Sequence, residues 1–67
     1  MKRQMVSSSR IASVGWENDV MEVQFHNGSI YQYYNVSNSE YQSFLSSSSL
    51  GHALSILDKQ HSYNRIV

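Results

Sequence analysis

Val20-Met21-Glu22-Val23-Gln24-Phe25-His26-Asn27-Gly28-Ser29-Ile30-Tyr31-Gln32-Tyr33-Tyr34 carries the strongest local signal in this chain of 67 residues. Two runs rich in β-branched and aromatic residues flank Asn27-Gly28. Both residues of that pair tolerate positive φ, which suits a two-residue type I′ hairpin turn. With that loop, Phe25 faces Ile30, Val23 faces Gln32 and Met21 faces Tyr34. Working backward, Ile11 to Trp16 is a third strand-like run. Asn18-Asp19 reads as a second two-residue turn, which sets Trp16 against Met21, Val14 against Val23 and Ala12 against Phe25. The two turns agree on one apolar face made of Ala12, Val14, Trp16, Met21, Val23, Phe25, Ile30 and Tyr34. The other face reads Ile11, Ser13, Gly15, Glu22, Gln24, His26, Tyr31 and Tyr33. A different loop length at either turn would shift the register and exchange the faces.

Working forward, Ser37 and Glu40 fit a capping box, with Val36 and Tyr41 placed for a hydrophobic staple. Tyr41, Phe44 and Leu45 form an i, i+3, i+4 stripe. The serines from Ser46 to Ser49 end that helix by offering the backbone competing hydrogen bonds. A second helix capped by Ser48 or Ser49 lines up Leu50, Ala53, Leu54 and Leu57. The expected fold class is α+β, a three-stranded antiparallel β-meander with one face covered by two short C-terminal helices. The expected organisation is a flexible segment over 1–7, a domain over 8–63 and a tail over 64–67.

A chain this short buries only about 60% of the surface its unfolded form exposes, so a partner surface is a plausible contributor to its stability. Cysteine is absent, which excludes disulfides and thiolate metal sites. Five basic and five acidic residues give a formal net charge of zero, against the basic excess of a general nucleic-acid binder. Residues 11–57 hold Glu17, Asp19, Glu22 and Glu40 but no Lys or Arg. The zero is thus the sum of an acidic body and basic ends. Neither a secretory h-region nor a membrane-length apolar run is seen, so a cytoplasmic location is expected. His26, His52 and His61 share no ligand spacing, and no serine lies in a nucleophile elbow. No metal, cofactor or catalytic residue is assigned.

The succession Ser8-Ser9, Ile11, Val14-Gly15-Trp16, Glu22-Val23-Gln24-Phe25, Gly28-Ser29-Ile30-Tyr31-Gln32-Tyr33, Val36, Ser48 or Ser49 with Gly51, and a closing Tyr63 resembles the KTSC domain family. That family is named for a C-terminal extension of some lysyl-tRNA synthetases and includes short stand-alone proteins, some of them phage-encoded. Its central mark is a Tyr-x-Tyr after a glycine turn, here Tyr31-Gln32-Tyr33. The family has no established activity, and the synthetase context suggests RNA binding. This chain departs from the family where RNA would need charge, with Gln32 between the tyrosines and Asp58 near the end of the second helix.

On this reading Tyr31 and Tyr33 form an aromatic platform on an open sheet face. Glu22, Gln24 and His26 surround it as partner-binding residues. Glu22 repels phosphate, so a protein contact is the better use of the platform. The leading expectation is a small non-catalytic protein-binding module. In the form the family's stand-alone members suggest, it is a phage antagonist that binds and inhibits a bacterial host defence protein in the host cytoplasm. A homodimer joined through the open face or a strand edge is expected as well. An RNA- or tRNA-binding accessory domain is the alternative.

Overall fold

A computed structural model describes residues 1–67. Five strands form one antiparallel sheet in chain order: β1 (Gln4–Met5), β2 (Ile11–Glu17), β3 (Val20–Phe25), β4 (Ile30–Tyr34) and β5 (Tyr63–Arg65). Helices α1 (Asn38–Leu45) and α2 (Leu50–Gln60) lie between β4 and β5. The class is the α+β arrangement expected, with the three-stranded meander enlarged by a strand from each end of the chain. Residues expected to be a flexible leader pair with β2, Gln4 opposite Val14 and Met5 opposite Ser13. Residues expected to be a tail pair with β4 and continue past it, where the Ile66 amide donates to the Ile30 carbonyl. Both edges of the central meander are therefore occupied, each by a strand of only two or three residues.

The β2–β3 turn is the one expected. Asn18 and Asp19 hold φ of 50° and 65°, and Trp16 faces Met21 while Val14 faces Val23. The β3–β4 turn is not. The Phe25 amide donates to the Ser29 carbonyl, which closes a loop of His26, Asn27 and Gly28. Gly28 alone among these holds positive φ, +92°. The extra residue moves the register by one, so that Val23 faces Tyr31 and Met21 faces Tyr33. A bulge between Ile11 and Ser13 makes the second correction, setting Ile11 rather than Ala12 opposite Phe25. Ile11, Tyr31 and Tyr33 thus belong to the face with Val14, Met21 and Val23, whereas Ile30 and Tyr34 turn to the other side.

The helices cover that corrected face. The core comprises Ile11, Val14, Met21, Val23, Tyr33, Val36, Tyr41, Phe44, Leu54 and Leu57. At the start of α1 the capping box forms in both directions. The Glu40 amide donates to Ser37 Oγ at 3.2 Å, and Glu40 Oε1 accepts from the Ser37 amide at 3.2 Å. Ser49 caps α2 by accepting from the His52 amide at 3.3 Å. Trp16 stacks on Tyr41 with ring centres 6.5 Å apart and donates to the Val36 carbonyl at 2.7 Å. One side chain thereby ties β2 to the loop that launches α1. The His61 ring sits between the Tyr34 carbonyl and Glu40, fastening the end of α2 to the end of β4 and the start of α1.

Two glycines have positional reasons. Gly28 supplies the left-handed conformation of the turn, and Gly28→Ala should cost about 1–2 kcal/mol by thermal denaturation. A Cβ on Gly15 would collide with the Lys2 carbonyl oxygen, because the N-terminal segment crosses β2 there. Gly15→Ala should therefore dislodge β1, which hydrogen exchange would register as lost protection at Val6, whose amide donates to the Ala12 carbonyl, while the amides of β3 stay protected.

Candidate functional site

The five residues expected to form one partner-binding face are divided among three places. Tyr31 and Tyr33 lie on the helix side of β4. Tyr33 is only 2% exposed, and its hydroxyl donates to Asp58 Oδ1 at 2.7 Å. Burial, reinforced by that carboxylate, holds the Tyr33 phenol far above its ordinary value of 10.0. Glu22 and Gln24 lie on the opposite face, and His26 stands exposed in the hairpin loop with Nε2 2.8 Å from the Ser8 carbonyl. The open tyrosine platform is thus absent. The cause is the one-residue change of register at Gly28.

The face away from the helices carries a polar network instead. Arg3 Nη1 donates to Glu22 Oε2, Arg3 Nε donates to Ser13 Oγ, and Gln32 Nε2 donates to Glu22 Oε1. Ser13 Oγ in turn donates to Gln24 Oε1 at 3.1 Å. Glu22 is buried here although no helix covers it, because the N-terminal segment lies across it. Burial pushes its carboxyl up, but the hydrogen bonds from Gln32 and Arg3 outweigh it and leave the carboxyl below its ordinary value of 4.5. The separation of acidic body from basic ends is undone at this point by folding.

On the helix side, residues distant in sequence meet in two adjoining clefts. One, of about 490 Å³, lies between Ser7–Arg10 and the first turn of α2, where Ser48, Ser49 and Gly51 contribute. The other, of about 280 Å³, is walled by Tyr31, Tyr33 and Tyr63 with Asp58 at one side. Tyr63 approaches Tyr33 with ring centres 5.3 Å apart and Tyr31 at 5.9 Å, while Phe25 meets Tyr31 edge-on at 5.5 Å. Arg10 borders both clefts. Its guanidinium belongs to neither ion pair of the molecule, and Nη1 lies 3.9 Å from where a Cβ on Gly51 would stand.

A third depression, of about 400 Å³, separates α1 from α2. Phe44, Ala53, Ile56 and Leu57 supply its apolar lining, and Glu40, His52 and Gln60 are among its polar neighbours. Ile56 is 48% exposed. The helical periodicity that marks Leu50, Ala53, Leu54 and Leu57 as a core stripe leaves Ile56 outside it, so the sequence signal for this groove is a lone apolar residue on the polar side of α2.

Some of the residues that carry the family resemblance meet at the first two clefts, while Glu22, Gln24 and Gln32 belong to the network on the opposite face. Ser8, Ser9, Ser48, Ser49 and Gly51 line one cleft, and Tyr31, Tyr33 and Tyr63 the other. The KTSC domain family matches residues 7–63. The chain belongs to the KTSC domain family. The crystal structure of a KTSC domain protein from Yersinia pestis superposes with a TM-score of 0.88 at 36% sequence identity, covering 98% of this chain and 97% of that one. No curated protein matches the sequence. The TM-score and the two coverages together show that the KTSC fold extends over nearly the whole of both chains.

Two measurements test this geometry. Because the Glu22 carboxyl is depressed in the folded state, its contribution to stability is present above about pH 4.5 and is lost as pH falls through the folded value. Glu22→Gln should therefore flatten the fall in melting temperature between neutral and acid pH; an unchanged acid limb would contradict the network. Tyr33→Phe removes the donor to Asp58 and should cost about 1.5 kcal/mol in a denaturant titration, with the ring packing retained.

Proposed function

We propose that this KTSC domain is a small non-catalytic module that binds a protein. Its concrete form is an antagonist that binds and inhibits a bacterial host defence protein. The observation that carries the reading is the groove between α1 and α2. Ile56 exposes nearly half of its surface beside Phe44, Ala53 and Leu57, in a depression large enough for one or two apolar side chains of a partner. Polar neighbours at its rim, Glu40, His52 and Gln60, would orient the contact, in the pattern of an apolar centre with a wet border. The partner-binding residues expected on the sheet are replaced in this reading by residues of the helix layer.

A second copy of the chain is one candidate occupant. The homodimer expected through a strand edge is disfavoured by β1 and β5, which occupy the edges of the meander and are too short to template much pairing. The same groove offers the apolar contact that a dimer would need.

Ile56→Glu tests both forms with little effect on the fold, since Ile56 lies outside the core cluster. Affinity capture from bacterial lysate should retain a protein on the wild-type domain that Ile56→Glu loses. Equal retention by the variant would move the contact away from the groove. Sedimentation at high micromolar concentration should show either a 7.7 kDa species or a dimer. A dimer that Ile56→Glu dissociates assigns the groove to a second copy.

A further inference from the structure

The tyrosine cleft and the unpaired Arg10 are not used by the helix groove and raise a separate question of ligand chemistry. The folded chain pairs Arg3 with Glu22 and sets His61 on Glu40, yet leaves the Arg10 guanidinium without an acceptor. Two hydroxyls stand close to it in the chain or across the cleft. Ser8 Oγ accepts from the amides of Arg10 and Ile11, both at 3.2 Å, and Ser49 Oγ accepts from the His52 amide. Each hydroxyl therefore keeps its own proton to donate. A cation flanked by free hydroxyl donors suits a phosphate or carboxylate.

The neighbouring cleft has a different chemistry. Tyr63 presents a ring that is 49% exposed, beside Tyr31, and neither hydroxyl has a partner within the molecule. These are faces on which a planar group can stack. Asp58 Oδ1 takes the Tyr33 hydroxyl, which leaves Oδ2 and the remaining lone pairs free to accept N–H donors from whatever occupies the cleft. Gly51, beneath Arg10, and Asp58 both belong to α2. They are separated along the helix axis by about 10 Å at 1.5 Å per residue, a span comparable with that between the pairing edge of a nucleobase and its 5′-phosphate.

We infer that the two clefts form one nucleotide-binding site. In it Tyr31 and Tyr63 stack the base, Asp58 accepts its N–H donors and Arg10 holds the phosphate. The carboxylate selects the base. Guanine presents adjacent N1–H and N2–H donors to a carboxylate, whereas uracil presents one N–H flanked by two carbonyl oxygens that Asp58 would repel. A guanine nucleotide is accordingly the preferred ligand, whether free or as one residue of a single strand. This site goes beyond the protein-binding reading and does not depend on it.

Titration with GMP, UMP, guanosine, inorganic phosphate and a short guanine-containing single-stranded RNA, followed by NMR, tests the site on the intact domain. GMP should shift the ring resonances of Tyr31 and Tyr63 and bind more tightly than UMP, guanosine or phosphate. Tyr63→Ala should weaken it roughly tenfold or more through lost stacking, and Arg10→Ala should abolish its advantage over guanosine. Both residues are exposed, and unchanged dispersion of the amide spectrum would verify that each variant is folded. Tighter binding of the strand places the nucleotide in a chain, equal binding makes the free nucleotide sufficient, and either result supports the site. Equal affinity for GMP and UMP, a response to phosphate alone without movement of the tyrosine rings, no response to GMP, or GMP affinity untouched by both substitutions would overturn it.

Discussion

The Phe25 amide closes on the Ser29 carbonyl, and the three-residue loop this makes, with Gly28 at φ +92°, sets the parity of every residue in β4. A three-residue loop closed by Phe25 and Ser29 places Tyr31 and Tyr33 beside Val23 and Met21; a two-residue loop would have placed them on the far side. Because β5 pairs with β4, Tyr63 inherits the same face. The tyrosine cluster, the seat of Asp58 and the packing of α2 all follow from it. The bulge at Ala12 is the matching adjustment in β2, bringing Ile11 into the core opposite Phe25.

The helix layer answers to this face. Leu54 and Leu57 of α2 and Tyr41 and Phe44 of α1 are the parts of the helices that reach the core. Three side chains brace the layer at its joints: Trp16 on the Val36 carbonyl, Tyr33 on Asp58, and His61 between the Tyr34 carbonyl and Glu40. All three link β-strands to helix termini or to the loop between them. In a domain with a ten-residue core, such polar joints are a substantial share of what fixes the helices in place.

Charge is organised by the fold in a way that composition conceals. Arg3 returns from the N-terminal end to neutralise Glu22 on the face without helices, whereas Arg10 comes to rest between two clefts with no internal partner. The two arginines share a short N-terminal stretch and have opposite situations. The helix side thus carries the unpaired Arg10 guanidinium, the exposed Tyr63 ring and the exposed Ile56, while the polar network occupies the other side.

Local signals in the chain were enough for the strands β2 to β4, the Asn18-Asp19 turn, the capping box at Ser37 and Glu40, the cap of α2 and the KTSC resemblance. Each depends on residues within a few positions of one another, where φ preferences and side-chain reach decide the outcome. The loop length at Asn27-Gly28 was not legible, because the same dipeptide serves a two-residue turn or the end of a three-residue one; burial of Tyr33 against Asp58, 25 residues away, favours the second. Strands β1 and β5 have little periodicity of their own and exist because the meander offers them edges. The meeting of Arg10, Tyr31, Asp58 and Tyr63 has no local signature at all. Their proximity is a product of strand order and helix packing, which only the assembled tertiary structure determines.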